Sequence, residues 1–295
     1  MRPKSIVITG SNGMLGSSLC RLYHDQHEVI AFHRDNMCFT YFKADYSLDL
    51  TDLSQLKKRF NEIKPDLVIH CAGLTSVDTC ETKSKLAYTA NVTVTENIAR
   101  TCSDRTKLVY ISTDQVYGKT GDHSETNTNL QPVNQCGKTK LLGEQKVQEL
   151  CSNFIIVRTI IFGWNMKPNR ISSAEWIYNS LKNGEDITLF TDYTFSPIYT
   201  ECLGEIILHL VEIDYAGIFN VGSPEPCSKY EFGISLAKCF GLNTSTIRIG
   251  SIADHNFGAP RCNNLALDVS KLSHTGLTVP DYKESLKRFS QNKPY

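Results

Sequence analysis

SIVITGSNGMLGSSL, residues 5–19, decides how the rest of the chain is read. SIVIT (5–9) is a short, nearly continuous apolar run, as a strand buried on both faces requires. Glycines at 10, 13 and 16 follow at once, and Met14 to Asp25 has the pattern of a helix. A strand that turns straight into a helix sets the helix's free N–H groups and positive dipole end beside the strand's carboxyl end. The three glycines then do different things. Gly10 permits the tight turn, Gly13 lets the backbone approach a bound diphosphate, and Gly16 lets the helix pack close. Asn12, Met14 and Leu15 complete this cradle.

Outward from it, apolar runs alternate with helical patterns. HEVIAF (27–32), DLVIHCAG (66–73), KLVYIST (107–113) and FIIVRTIIFG (154–163) read as strands; 52–63 and LAYTANVTVTENIARTC (86–102) read as helices. This order predicts an α/β fold, a doubly wound parallel sheet of the Rossmann type. The second half is less regular. AEWIYNSLKNG (174–184), YTECLGEIILHLVE (199–212) and YEFGISLAKCFG (230–241) read as helices, the first stopped by Gly184; ITLF (187–190) and GIFNVG (217–222) read as strands. We divide the chain into a dinucleotide-binding domain, 1–165, and a smaller C-terminal α/β lobe, 166–295, that mainly binds substrate. No Gly/Ser/Pro-rich linker separates them, so the chain is expected to cross between the two.

Composition excludes several classes. Thirty-one Lys plus Arg balance 31 Asp plus Glu, which is no footprint for nucleic acid. No apolar run approaches the roughly 20 residues that span a bilayer. The 11 cysteines include no CxxC, so no metal site is expected, and they read as small buried hydrophobes of a cytoplasmic protein.

The second strand ends AFHRD, placing His33 and Arg34 where the cofactor's adenine ribose would lie. A guanidinium there suits a 2′-phosphate, so NADP(H) is favoured over NAD(H). Asp35 would restore NAD(H) if the strand ran one or two residues further.

Four more stretches, IHCAGLTSVDTCE (69–81), ISTDQVYG (111–118), PVNQCGKTKLLGE (132–144) and APRCNNLALDVSKL (259–272), extend the pattern. With the glycine loop, they resemble the extended short-chain dehydrogenases/reductases of nucleotide sugars, the dTDP-4-dehydrorhamnose reductase family in particular. The resemblance implies reduction of a nucleotide-linked 4-keto-6-deoxy sugar in deoxysugar biosynthesis. It implies Cys71, Ala72 and Gly73 beside the cofactor, Asp49 and Leu50 at the adenine edge, and Lys140 on the nicotinamide ribose. Thr113 would bond a substrate oxygen, and Thr75, Val77, Asp114, Gln115 and Arg261 would touch substrate, Arg261 gripping its diphosphate. Trp164 and Trp176 could stack on a base, although both read better as core. The wider superfamily often pairs through helices, which leaves a homodimer open.

Cys136 departs from that family. It stands four residues before Lys140 and shares its helix face, in the place of a tyrosine that protonates the ketone oxygen. A sulfur one bond past Cβ cannot reach where a phenol oxygen would be. Three readings follow: a reductase using Cys136 with water, or another acid among Tyr117, Asp114 and His123; a cofactor- or sugar-nucleotide-binding subunit similar to the regulatory subunit of methionine adenosyltransferase; or dehydratase or epimerase chemistry leaning on Asp114.

Overall fold

The computed structural model describes residues 4–35, 39–119, 121, 123–167 and 170–293, which leaves Cys38 outside the described residues. The first half runs β1 (Ser5–Thr9), α1 (Met14–Tyr23), β2 (Glu28–His33), β3 (Ala44–Ser47), α2 (Leu53–Ile63), β4 (Leu67–His70), α3 (Val77–Thr82), α4 (Ser84–Tyr88), α5 (Val94–Thr101), β5 (Lys107–Ile111), α6 (Gln135–Leu150) and β6 (Phe154–Phe162). The second runs α7 (Ser173–Lys182), β7 (Ile187–Phe190), β8 (Thr194–Phe195), β9 (Pro197–Tyr199), α8 (Thr200–Glu212), β10 (Gly217–Val221), β11 (Cys227–Ser228), α9 (Lys229–Phe240), β12 (Ile247–Gly250), β13 (Asn264–Leu265), α10 (Ser270–Ser273) and α11 (Tyr282–Gln291).

An eight-stranded parallel sheet in the order β10-β6-β5-β4-β1-β2-β3, with β9 paired to β6, forms the frame. The apolar runs account for it. Ile6, Ile8, Ile69, Val109 and Val157 pack into one core, while Val7, Ile30, Val68, Leu108 and Ile156 pack into another. Each such side chain contributes about 1.5–3 kcal/mol by leaving water, and helices cover both faces, as the doubly wound reading requires. Strand order reverses between β1 and β4, where Thr9 lies level with His70. Ligands bind at such a switch point, outside the carboxyl ends of the strands.

The structure adds details that the sequence alone did not show. β3 is an edge strand, ADYS, with alternating exposure and no apolar run. The expected helix 86–102 begins at Ser84, and its turn Thr89–Thr93 is π-wound, placing Asn91 within the bulge. β10 lies beside β6, so a segment of the second half extends the large sheet. The remaining short strands form β11-β8-β13 and β12-β7. α7 and α9 begin with capping boxes on Ser172 and Ser228. Gly184 and Gly241 follow α7 and α9 in the left-handed region, at φ 73° and 64°, the usual way to end a helix.

Candidate active site

The glycine loop opens onto the switch point. Gly10 leaves β1 at φ 63°, and a Cβ there would stand 2.7 Å from the Ala72 amide nitrogen. One at Gly16 would stand 2.4 Å from the Gly10 carbonyl oxygen. Only hydrogen fits at either place. Gly13 donates its N–H to the Gly10 carbonyl at 2.8 Å and begins α1 without a side-chain cap, so the first turn faces the crevice as an anion cradle. Met14 and Leu15 form that turn, and Asn12 donates to the Asp35 carbonyl at 3.0 Å, tying the loop to the end of β2.

β2 stops at His33, which makes Arg34 the first residue beyond it. The Arg34 side chain is 82% exposed and 3.8 Å from Asp35. Asp35 is ion-paired with Lys167, whose hydrogen bond holds its carboxyl below the usual range. His33 differs from the expectation. Its ring is buried, with Nε2 2.8 Å from Asp45 and Nδ1 2.7 Å from the Asp35 carbonyl, so both nitrogens serve the turn and Arg34 alone points outward. Asp49 is exposed, its carboxylate bonded by the Thr51 N–H and hydroxyl at 2.9 and 2.8 Å, and the Leu50 carbonyl accepts from Asn97.

Beneath the cradle, the Thr9 hydroxyl donates to His70 Nδ1 at 2.7 Å and accepts from the Ala72 N–H. His70 Nε2 donates to Thr95 at 3.1 Å, because the Thr95 hydrogen already goes to the Asn91 carbonyl. The ring is therefore neutral, and burial pushes its pKa from the ordinary 6.5 down to about 3. Between those two values an unfolded chain takes up a proton that the native state refuses. Stability should fall by about 1.4 kcal/mol per pH unit from this group as pH drops through that window, and be fully retained above it. Denaturant midpoints at several pH values should show that slope, flattened in His70→Asn.

α6 carries the other side of the site. Asn134 caps it, accepting from the Gly137 N–H at 2.9 Å, while its amide donates to Gln115 Oε1 and the Pro260 carbonyl. Cys136 and Lys140 share a face and are each 4% exposed. Lys140 Nζ donates to the Ile111 carbonyl at 2.8 Å and lies 4.9 Å over the Tyr110 ring. A Cβ at Gly73 would come within 3.2 Å of that Nζ, so the amine reaches the ends of β4 and β5. Cys136 packs with Cys80 and Ala87, with Leu74 and Val77 alongside, and its sulfur is 3.9 Å from the Thr75 carbonyl. Contact with Cys80 and burial push its thiol far up, and burial pushes Cys71 up to about 12. Neither sulfur is a poised acid.

The Thr113 hydroxyl donates to Asp114 Oδ1 at 2.9 Å and accepts from the Gln115 N–H. Two acids near in sequence are engaged elsewhere. The Tyr117 hydroxyl donates to Asn220 at 2.8 Å and accepts from Arg158 at 3.1 Å. His123 Nδ1 donates to the Ala266 carbonyl. Arg261 forks onto Asp78 at 3.0 and 2.8 Å, so the expected diphosphate grip is used to pin its loop to α3. Trp164 stacks on Phe289 at 4.2 Å inside the core, whereas Trp176 is 40% exposed on α7. Asn91 is a site residue that the sequence motifs do not mark. Its side chain bonds both polar atoms of the Leu74 backbone and also Thr139, holding the β4 exit to α6. An asparagine amid β-branched helix residues was the available signal. Among the described residues no metal-binding cluster occurs, and no helix is long and apolar enough to cross a membrane.

Comparison with known proteins bears directly on this geometry. The family described as RmlD substrate binding domain matches residues 4–294. A probable low-salt glycan biosynthesis reductase of Haloferax volcanii is 29% identical over 286 residues, 95% of each chain. The crystal structure of dTDP-4-dehydrorhamnose reductase from Bacillus anthracis, in complex with NADP, superposes with a TM-score of 0.87 at 29% identity, covering 99% of this chain and 100% of that one. Methionine adenosyltransferase 2 subunit beta of Xenopus laevis is 26% identical over 280 residues, 92% of this chain and 82% of its own.

Proposed function

The chain belongs to the RmlD substrate binding domain family, and from that premise we propose that it reduces the C4 ketone of a nucleotide-linked 4-keto-6-deoxy sugar. It is a sugar-nucleotide reductase of glycan biosynthesis, and its cofactor is NADP(H). One observation carries the reading: Gly10 and Gly16, where only hydrogen fits, open on the same crevice as Gly73 and Lys140 Nζ. That cradle fits a dinucleotide. The loop would hold the diphosphate, Arg34 the 2′-phosphate, Cys71–Gly73 one flank, and Lys140 the nicotinamide ribose. Bound there, NADPH supplies hydride. Thr113 would hold the ketone oxygen by its hydroxyl, and Thr75, Val77, Gln115 and the loop pinned by Arg261 would shape the sugar site. Ten free thiols among the described residues fit a reducing compartment, and the cytoplasm is where we place the protein.

The test is to mix protein, NADPH and a 4-keto-6-deoxy nucleotide sugar and follow the absorbance of the reduced cofactor. Oxidation that depends on the sugar supports the reading. Tight NADPH binding with no oxidation would favour a non-catalytic role like that of an adenosyltransferase subunit, which the buried Cys136 also suits. Arg34→Ala should raise KM for NADPH about tenfold, the worth of one charge-assisted contact, and leave KM for NADH unchanged; equal effects on both would remove Arg34 from the 2′-phosphate.

A further inference from the structure

We propose that Asp114, passing its proton through the Thr113 hydroxyl, is the acid that protonates the ketone oxygen, and that Lys229 is its positioning residue. This rests on the reductase reading and names the proton source that reading leaves open.

The tyrosine of the family is absent, and the alternatives are spent. The Cys136 thiol is packed against Cys80 and Ala87. The Tyr117 hydroxyl lies between Asn220 and Arg158, and His123 is bonded to Ala266. Asp114 is different. It is 1% exposed, and its Oδ1 takes the Thr113 hydroxyl at 2.9 Å and the Gln115 amide at 3.3 Å. Its Oδ2 is enclosed and has no hydrogen-bond partner among the described residues. An enclosed, unpartnered carboxylate oxygen is costly, and a proton on the group removes most of that cost. Burial accordingly pushes the carboxyl up to about 6.

Lys229, at the start of α9, is the cation whose charge opposes the effect of burial on this carboxyl. Its Nζ lies 3.6 Å from the centre of the Phe195 ring and 5.2 Å from that of Tyr193. Desolvation brings its pKa down to about 8. The ammonium is thus held on an aromatic shelf, free to stabilise the carboxylate that forms when Asp114 gives up its proton. The step balances. The carbonyl carbon receives hydride, and the C=O π pair collects on oxygen. With the acid proton on Oδ1, the Thr113–Asp114 bond runs opposite to its resting direction. Thr113 turns its hydrogen to the ketone oxygen and gives it up, the Thr113 oxygen takes the Oδ1 proton, and solvent returns a proton to the carboxylate after the alcohol leaves.

Asp114→Asn should lower kcat by about 10²–10³-fold, the usual worth of a general acid, with NADPH affinity by fluorescence titration within twofold of the parent. The ionisable groups that feel the Asp114 charge are Lys229, Tyr193, Cys262 and Cys136. Of these, Lys229 is the cation, so Lys229→Met should move the alkaline fall of the rate upward by roughly one pH unit. A role in folding alone would not move it. Carboxyl ¹³C NMR of the intact protein should show an aspartate titrating well above the ordinary range, lost in Asp114→Asn. An Asp114→Asn enzyme within threefold of the parent kcat, an unmoved alkaline limb in Lys229→Met, or no such titrating carboxyl would overturn the assignment. A parent protein that binds NADPH yet oxidises none with the keto sugar would overturn the reductase reading instead.

Discussion

Replacing Glu144 by alanine is expected to destabilise the protein by about 3–5 kcal/mol, the cost of stranding one partner of a buried ion pair. Glu144 on α6 is fully buried and Arg158 on β6 is 2% exposed. The guanidinium grips both carboxylate oxygens, with Nη2 at 2.7 Å from Oε2 and Nε at 3.0 Å from Oε1, and Ser112 donates to Oε1 at 2.5 Å. Arg158 also donates to Tyr117, Tyr117 to Asn220, and Asn220 to the His123 and Asp268 carbonyls. One carboxylate therefore anchors a chain of bonds through α6, the end of β5, β6 and β10. Without it the Arg158 charge has no counter-ion in the core, and a typical domain has only about 5–15 kcal/mol in reserve. Urea midpoints measure the loss. Glu144→Met with Arg158→Met should cost much less than the two single changes summed, because the double change leaves no unpaired charge. A single Glu144→Ala costing under about 1 kcal/mol would mean that water, not Arg158, sets the energy there.

Why the frame was legible and parts of the site were not follows from range. SIVIT, DLVIH and KLVYI announce a covered parallel sheet because both faces of each strand must be apolar. The glycines announce their turn because only hydrogen fits beside Ala72 and Gly10. That Arg34 follows the second strand is legible because the apolar run of β2 marks where the strand stops. The engagement of the His33 ring is not legible because its partner Asp45 sits on β3, a half-exposed edge strand with no apolar signature. The fork of Arg261 onto Asp78 is not legible because Asp78, on α3, is distant in sequence. Lys229 left no local signal at all. The Phe195 and Tyr193 rings that hold its amine come beside it only when β11 and β8 pair. Cys136 was visible as a departure, but its enclosure by Cys80 and Ala87 was not.

Lys140→Met is expected to lower kcat/KM by roughly 10²–10³-fold and to weaken NADPH binding about tenfold, the loss of one charge-assisted contact. What the amine does when only 4% exposed decides this. Burial drives its pKa down, and the Ile111 carbonyl at 2.8 Å is the acceptor that the described residues give it. An ammonium carries three N–H donors; one goes to Ile111 and the Tyr110 ring face lies 4.9 Å away, so donor capacity remains for a ligand beside Gly73. For stability this is a poor arrangement, since a desolvated cation with unspent donors costs free energy. Methionine keeps the bulk, loses the bond to Ile111 and removes that desolvation cost, so the two terms oppose and the net change should stay within about 2 kcal/mol. A residue kept only for packing would show the reverse, a lower unfolding midpoint with turnover intact. Stopped-flow oxidation of NADPH and a urea titration of the same variant separate the two cases, and turnover within threefold of the parent would remove Lys140 from the chemistry.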